Sequence, residues 1–270
     1  MFLKKYHDEL MKLEPYRIKT AHSNAAYKIP LQGQFIFLKI YGCKHPRFRY
    51  EMRRLLSRIG IRQPIEYTSP QRRKVFEEDI LRHWSAHGFK VPAIITNPYS
   101  ELAHFSLATK FIHGITLREI VQDKTAGWYK KEETIAELFR EVNRRHQKAF
   151  ILNDNKLFHI DANTRNIIFE NEIIYHVDFE MGRPWEPSIK CASREILKML
   201  VCVTEDAPAS MREPIINLFK KYYSDKAVYN FIKNSILKRP FQALHRVKDR
   251  KKKMRNPAKV TLYDILHYLQ

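Results

Sequence analysis

Residues 159–166 read His-Ile-Asp-Ala-Asn-Thr-Arg-Asn, and the pair Asp178-Phe179 begins twelve residues beyond Asn166. The stretch between them, "IIFENEIIYHV", is two short hydrophobic runs around a polar centre, the pattern of two strands and a turn. A hairpin returns the chain to where it began, so this one would bring Asn166 and Asp178 together. It sits inside a half of the chain that otherwise reads as helix: "KKEETIAELFREVNRRHQKAF" is one long helical stretch, and most of residues 186–270 follows suit. The first half is rich in strand signals, of which "QFIFLKIY" is the clearest. A β-rich half joined to an α-rich half, with one β pair inside the second, predicts an α+β, bilobal chain. The boundaries expected are an N-lobe over 1–110 and a C-lobe over 111–270.

Smaller elements fill in this plan. The opening 14 residues read as a short helix ending at Pro15, and "SPQRRKVFEEDILRHWSAHG" as a second helix. In that second helix Val75, Phe76, Ile80, Leu81 and Trp84 supply the apolar positions, and Gly88 follows its end. "KVPAIITN" and "HFSLATKFI" look like a strand pair. No internal repeat is visible.

Charge is the compositional anomaly: 49 Lys and Arg against 29 Asp and Glu, a formal net charge of +20 over 270 residues. Such a surplus attracts polyanions without choosing among nucleic acid, anionic lipid and phosphorylated glycan. Two stretches concentrate it. Between Lys44 and Lys74 stand ten Lys and Arg against only Glu51 and Glu66, with Phe48, Met52, Leu55, Leu56 and Ile59 set among the arginines. This suits an amphipathic helix on an anionic membrane face or a grip on a phosphorylated sugar, and equally a packed helix with a solvated basic face. The second stretch is "RVKDRKKKMRN" near the C-terminus. Three scattered cysteines make neither a disulfide framework nor a zinc site, so a reducing compartment is expected. The first residues have no apolar core of signal-peptide type, and no run approaches a membrane span. A cytoplasmic protein, docking on the inner face of the cell membrane, is the expectation.

Phosphoryl transfer from ATP asks for positioning and charge neutralisation more than for covalent chemistry. It needs a carboxylate for the attacking hydroxyl, oxygen ligands for magnesium, a cation on the phosphates and something to hold that cation. His159, Asp161 and Asn166 stand at the spacing of a kinase catalytic loop, and Asp178-Phe179 at that of its second metal ligand. Upstream, Lys39 lies in a strand, and Glu77 in the following helix could pair with it, in competition with its neighbours Glu78 and Asp79. "LATKFIHGITL" supplies a strand, a linker and Gly114, as at a hinge where adenine stacks. Alone, HxDxxxxN is a weak signal; five elements in this order are a strong one.

These residues resemble those of the compact, atypical protein-kinase-like enzymes. The nearest likeness is to bacterial lipopolysaccharide core (heptose and Kdo) kinases, with the KEOPS-complex kinase, RIO kinases and aminoglycoside phosphotransferases further off, over residues 25 to 200. The resemblance implies a protein-kinase-like fold, with Asp161 catalytic and Asn166 and Asp178 as ligands of Mg2+. It implies Lys39 on the α/β-phosphates of ATP with Glu77 as its helix partner, Thr109 as gatekeeper, and Lys110, Phe111 and Ile112 as the adenine hinge. His159 would hold the loop. Three departures stand out. "TAHSNAAYKI" has no glycine, so Ser23 and Asn24 would line the phosphates through backbone amides. Glu180 occupies the third position after Asp178. Lastly, "CASREILKML" begins so soon after Asp178 that no long peptide-docking segment fits, which favours a small-molecule or glycolipid acceptor. The implied activity is transfer of the γ-phosphate to a sugar hydroxyl of the lipopolysaccharide inner core, with an anionic, phosphorylated glycolipid as partner. The alternatives are an atypical Ser/Thr protein kinase and an inactive kinase-like module that binds a polyanion, nucleic acid being the less favoured partner.

Overall fold

A computed structural model describes residues 6–18, 24–42, 69–179, 186–237, 249–251, 253–256 and 259–269. Ser23, Glu180, residues 44–68 of the basic stretch and residues 246–248 and 252 of the C-terminal basic run lie outside the described residues. The chain is mixed α and β, with two antiparallel sheets and many helices, and divides into two compact units. The first is Met1–Arg82 with Pro92–Ile112, and the second is His83–Val91 with His113–Gln270.

In the first unit, helix α1 (His7–Leu13) passes into a single 3-10 turn, Glu14–Tyr16, where Pro15 ends the helical pattern. Strands β1 (Arg17–Ile18), β2 (Ala25–Leu31), β3 (Gln34–Ile40) and β4 (Ser106–Lys110) form an antiparallel sheet in that order. Gln32 and Gly33 close the β2–β3 hairpin with φ of 48° and 77°, a left-handed pair whose twist matches the strands it joins. One sheet face carries Tyr27, Ile29, Ile36, Leu38 and Ile40 into a core with Leu13, Leu102, Phe105 and Ala108. Residues 90–97, expected to be a strand, do not form one. Ile94 makes a single bridge to Thr109, and Ala93 and Ile95 exchange one hydrogen bond each with β4. Pro92 has no N–H to give a ladder, and the Asn97 side chain accepts the Tyr99 N–H and turns the chain away.

Helix α2 (Pro70–Ala86) starts in the first unit, and its last turn belongs to the second. Its buried stripe is Arg73, Glu77, Ile80, Leu81 and Trp84, whereas Val75 is 61% exposed. Two charged side chains therefore stand where the sequence pattern placed Val75. Both are held by hydrogen bonds within the first unit, which is what allows a charge to be buried at all. Arg73 belongs to the basic stretch, and it is spent inside the protein rather than offered to a partner.

The second unit contains the three-stranded antiparallel sheet β5 (Ile115–Thr116), β6 (Ile167–Glu170) and β7 (Ile173–His176). Around it are α3 (Leu117–Gln122), α4 (Trp128–Leu152), α5 (Ser188–Asp206), α6 (Arg212–Tyr222), α7 (Lys226–Leu237) and α8 (Leu262–Leu269). Thr116 and Glu119 make a reciprocal capping box at the start of α3. The β6–β7 turn is Asn171-Glu172, both at positive φ, the conformation a two-residue hairpin requires. No helix of the described residues is long and apolar enough to cross a membrane.

The centre of this unit is ionic. Arg145, fully buried, reaches Glu195 at 2.5 Å, Glu141 at 3.2 Å and the Leu157 carbonyl at 2.7 Å, while its guanidinium lies 4.4 Å over the Trp84 ring. His146 spans Glu195 (2.9 Å) and the Tyr223 hydroxyl (2.8 Å), and His176 meets Glu141 at 3.1 Å. Burial alone would raise the Glu141 carboxyl; Arg145 and His176 overcome it and hold the group at about 2. Burial opposes ionisation of Glu195 too, and Arg145 and His146 keep it far below the usual carboxylate range.

Candidate functional site

In the first unit, period-two alternation along β3 turns Leu38 and Ile40 into the apolar core and Lys39 to the opposite face. There the strand register sets Lys39 between Ala26 on β2 and Leu107 on β4, and Thr109 opposite Phe37 on the same face. Lys39 Nζ donates to Glu77 Oε2 at 2.8 Å, and the Tyr41 hydroxyl donates to the same oxygen at 2.6 Å. Glu77, not Glu78, is thus the partner; Glu78 binds Lys74 (2.8 Å) and Arg82 (2.9 Å) on the outside. Arg73 donates to the Gly42 carbonyl (2.9 Å) and to Asn24 Oδ1 (2.8 Å), which ties the end of β3 to the start of β2. The Asn24 side chain is accordingly a brace for Arg73.

Thr109 is buried, 5% exposed, next to the segment proposed as an adenine hinge. Within that segment the Lys110 N–H donates to Ala93 (2.8 Å) and the Phe111 N–H to Phe35 (3.1 Å). The Ile112 N–H makes no hydrogen bond among the described residues.

In the second unit, the segment "HIDANTRN" is a loop closed on itself. The Asp161 carbonyl accepts from the Asn163 N–H (2.7 Å) and from Asn166 Nδ2 (3.0 Å), and the Asn166 N–H donates to the Asn163 carbonyl at 3.0 Å. The Val177 N–H then donates to the Asn166 carbonyl (3.0 Å), which brings the residue before Asp178 against Asn166. Asp178 has φ of +67°, a left-handed conformation uncommon for a residue with a Cβ and characteristic of chains bent for a purpose. Phe179 is buried, its ring 4.6 Å from Trp84 and 4.5 Å from His159.

His159 does hold this loop. Its N–H donates to Glu195 Oε2 (2.7 Å) and its Nε2 bonds to the Val177 carbonyl (3.0 Å). Burial, with the His176 ring beside it, pushes its imidazole down to about 4, so it is neutral at physiological pH. The Asp161 carboxylate is half-exposed and meets Lys198 Nζ of α5 at 3.5 Å. At the other end of the loop the Thr164 hydroxyl donates to Asp206, which also pairs with Arg118 at 3.3 Å.

Lys198, Glu195 and Asp206 all lie on α5, and none was singled out from the sequence. Glu195, Lys198 and Asp206 are spaced three and eight apart, roughly one face of a helix following the motif, and that spacing was the available signal. Chemically the loop offers an oriented carboxylate at Asp161 and, because Asn166 Nδ2 is engaged, an amide oxygen free of its own NH2 group. Asp178 adds a carboxylate next in line. An Asn oxygen and an Asp carboxylate are hard donors that fit Mg2+.

No protein-family model matches the sequence, and no curated protein matches it. Among solved structures, "WaaP in complex with acyl carrier protein" is similar over 94% of this chain and 95% of that one, with a TM-score of 0.46 and 9% identity. A likeness of that depth leaves the functional reading to the residues themselves.

Proposed function

We propose that the chain is an ATP- and Mg2+-dependent phosphotransferase of protein-kinase-like fold that phosphorylates a sugar hydroxyl, with an anionic glycolipid of the lipopolysaccharide inner core as acceptor. The observation that carries this reading is the Asp161 loop. Its carbonyl fixes the Asn166 amide group, its carboxylate stays half-exposed, and Val177 draws the following Asp178 alongside. Those three oxygen-bearing side chains are what phosphoryl transfer to an alcohol uses. The buried Lys39–Glu77 pair supports it, since a lysine held this way is positioned for phosphate oxygens.

In this mechanism Asp161 orients the acceptor hydroxyl and accepts its proton as the oxygen attacks the γ-phosphorus. Lys198 balances the carboxylate charge and holds its rotamer. Lys39, kept straight by Glu77 and Tyr41, neutralises the α/β-phosphates, and the Ile112 N–H takes the adenine edge. Asn166 and Asp178 would hold Mg2+, which supplies charge neutralisation across the phosphates. The acceptor assignment rests on two features. Helix α5 begins at Ser188, ten residues after Asp178, which leaves little chain for docking a peptide. The +20 charge favours an anionic acceptor and a place at the anionic inner face of the membrane.

Transfer from labelled ATP to extracted core glycolipid is the test, with the wild-type chain beside Asp161→Ala. Label on the glycolipid should fall about 10²- to 10⁴-fold in the variant, the usual worth of a positioned base. Label on Ser or Thr of protein instead, lost in the same variant, would move the acceptor to the protein-kinase alternative. Nucleotide or RNA binding with no transfer to any acceptor would leave the binding-module alternative.

A further inference from the structure

Outside the residues assigned to phosphoryl transfer, the second unit holds a cluster of donors that no function above uses. His83 and His87 lie one turn apart at the end of α2 and just beyond it, and Asp154 follows the end of α4. Residues spaced i, i+4 share a face, so both imidazoles point the same way. One donor atom from each of the three side chains lies within 4.8 Å of the others, and all three are half-buried.

The contacts around the cluster orient it. His87 Nδ1 lies 2.9 Å from the His83 carbonyl, which can only accept, so Nδ1 is the donor and Nε2 is the nitrogen turned to a ligand. Asp154 Oδ1 accepts the Lys156 N–H at 3.0 Å, capping the 155–157 turn and leaving Oδ2 for other work. That Oδ2 is 2.5 Å from His83 Nε2. The two rings are 4.4 Å apart, centroid to centroid. Outer hydrogen bonds that set tautomer and carboxylate rotamer in this way are the usual support of metal ligands.

We propose that His83, His87 and Asp154 bind a divalent transition-metal ion, with zinc the best match, through two imidazole nitrogens and one carboxylate oxygen. Two nitrogens and an oxygen, with a fourth position for water, suit Zn2+; imidazole does not suit Mg2+ or Ca2+. The ion takes the place of the hydrogen bond between His83 Nε2 and Asp154 Oδ2, and the imidazole binds it as the neutral ring. Its role is positional. It ties the turn after α2 to Asp154, five residues before His159 and seven before Asp161, and so anchors the entry to the loop. The proposal does not depend on the phosphotransfer reading.

The untagged, full-length chain, stripped with chelator, is titrated with Co2+ and, in competition with a chromophoric chelator, with Zn2+. One equivalent should bind, with the visible ligand-field bands of low-coordinate Co2+, and the melting temperature should rise with Zn2+. His87→Gln and Asp154→Asn, each checked for native circular dichroism, should weaken Zn2+ binding at least about tenfold. Zinc bound equally well by both folded variants would overturn the proposal, because the ion would then sit elsewhere. So would a wild-type chain that binds neither ion in the micromolar range.

Discussion

Asp161 divides its work between two groups: the carbonyl organises the loop through Asn163 and Asn166, while the carboxylate is left to Lys198 and, in the proposed reaction, to the acceptor. Lys198 is 45% exposed and pairs with no acidic side chain but Asp161 among the described residues, so its contribution should be to rate rather than to stability. Lys198→Met is expected to lower kcat/KM by about tenfold, roughly 1.4 kcal/mol of barrier, with a melting temperature close to wild type. Steady-state phosphate transfer beside a thermal melt checks this. An unchanged rate would remove Lys198 from the mechanism. Glu77 is the opposite kind of residue. It is 4% exposed and shared by Lys39 and Tyr41, so replacing it disturbs packing and chemistry together.

At the level of elements, Gly114 lets two backbone segments come close together. A Cβ there would lie 2.1 Å from the Phe169 carbonyl oxygen, where β5 runs beside β6. The neighbour is backbone in a paired strand and cannot step aside. Gly114→Ala should therefore cost about 1–3 kcal/mol in denaturant unfolding, and no loss would mean that β5 is free to shift. Elements with a local signature were legible in the sequence. The alternation of "QFIFLKIY" marked β3, and the two hydrophobic runs around Asn171 marked β6 and β7. Lys39 and Glu77 were readable as a pair because a lysine in a strand and an acidic run in the following helix stand in the order a phosphate-binding lysine and its partner require. The failures were non-local. Val75 looked like core and Arg73 like surface, because hydropathy cannot show that Gly42 and Asn24 wait to receive a guanidinium. Residues 90–97 had strand composition, but Pro92 interrupts the donors a ladder needs. Lys198 and Glu195 share a helix face in the sequence, but only the packing of α5 against the loop gives that face a role.

For the molecule as a whole, the buried titratable groups set the response to acid. His159 is held down to about 4 in the folded chain against 6.5 for an ordinary histidine, and burial lowers His146 as well. The unfolded chain therefore takes up protons first, so this stability is complete above pH 6.5 and is lost as pH falls toward 4. Glu141, at about 2 against 4.5, and Glu195 add a second loss as pH falls below 4.5. Unfolding free energy from denaturant titrations should hold level between pH 8 and 7, then fall by roughly 3 kcal/mol between pH 6.5 and 4. Equal stability at pH 7 and pH 4 would show that these groups are hydrated and unlinked to folding. Glu195 has a consequence beyond equilibrium. It grips the His159 N–H from 36 residues further along the chain. During synthesis the ribosome must therefore add that length, roughly two to seven seconds of translation, before the motif can be locked. A nascent chain stalled in that interval would carry every letter of "HIDANTRN" and still lack the Glu195 clamp on it.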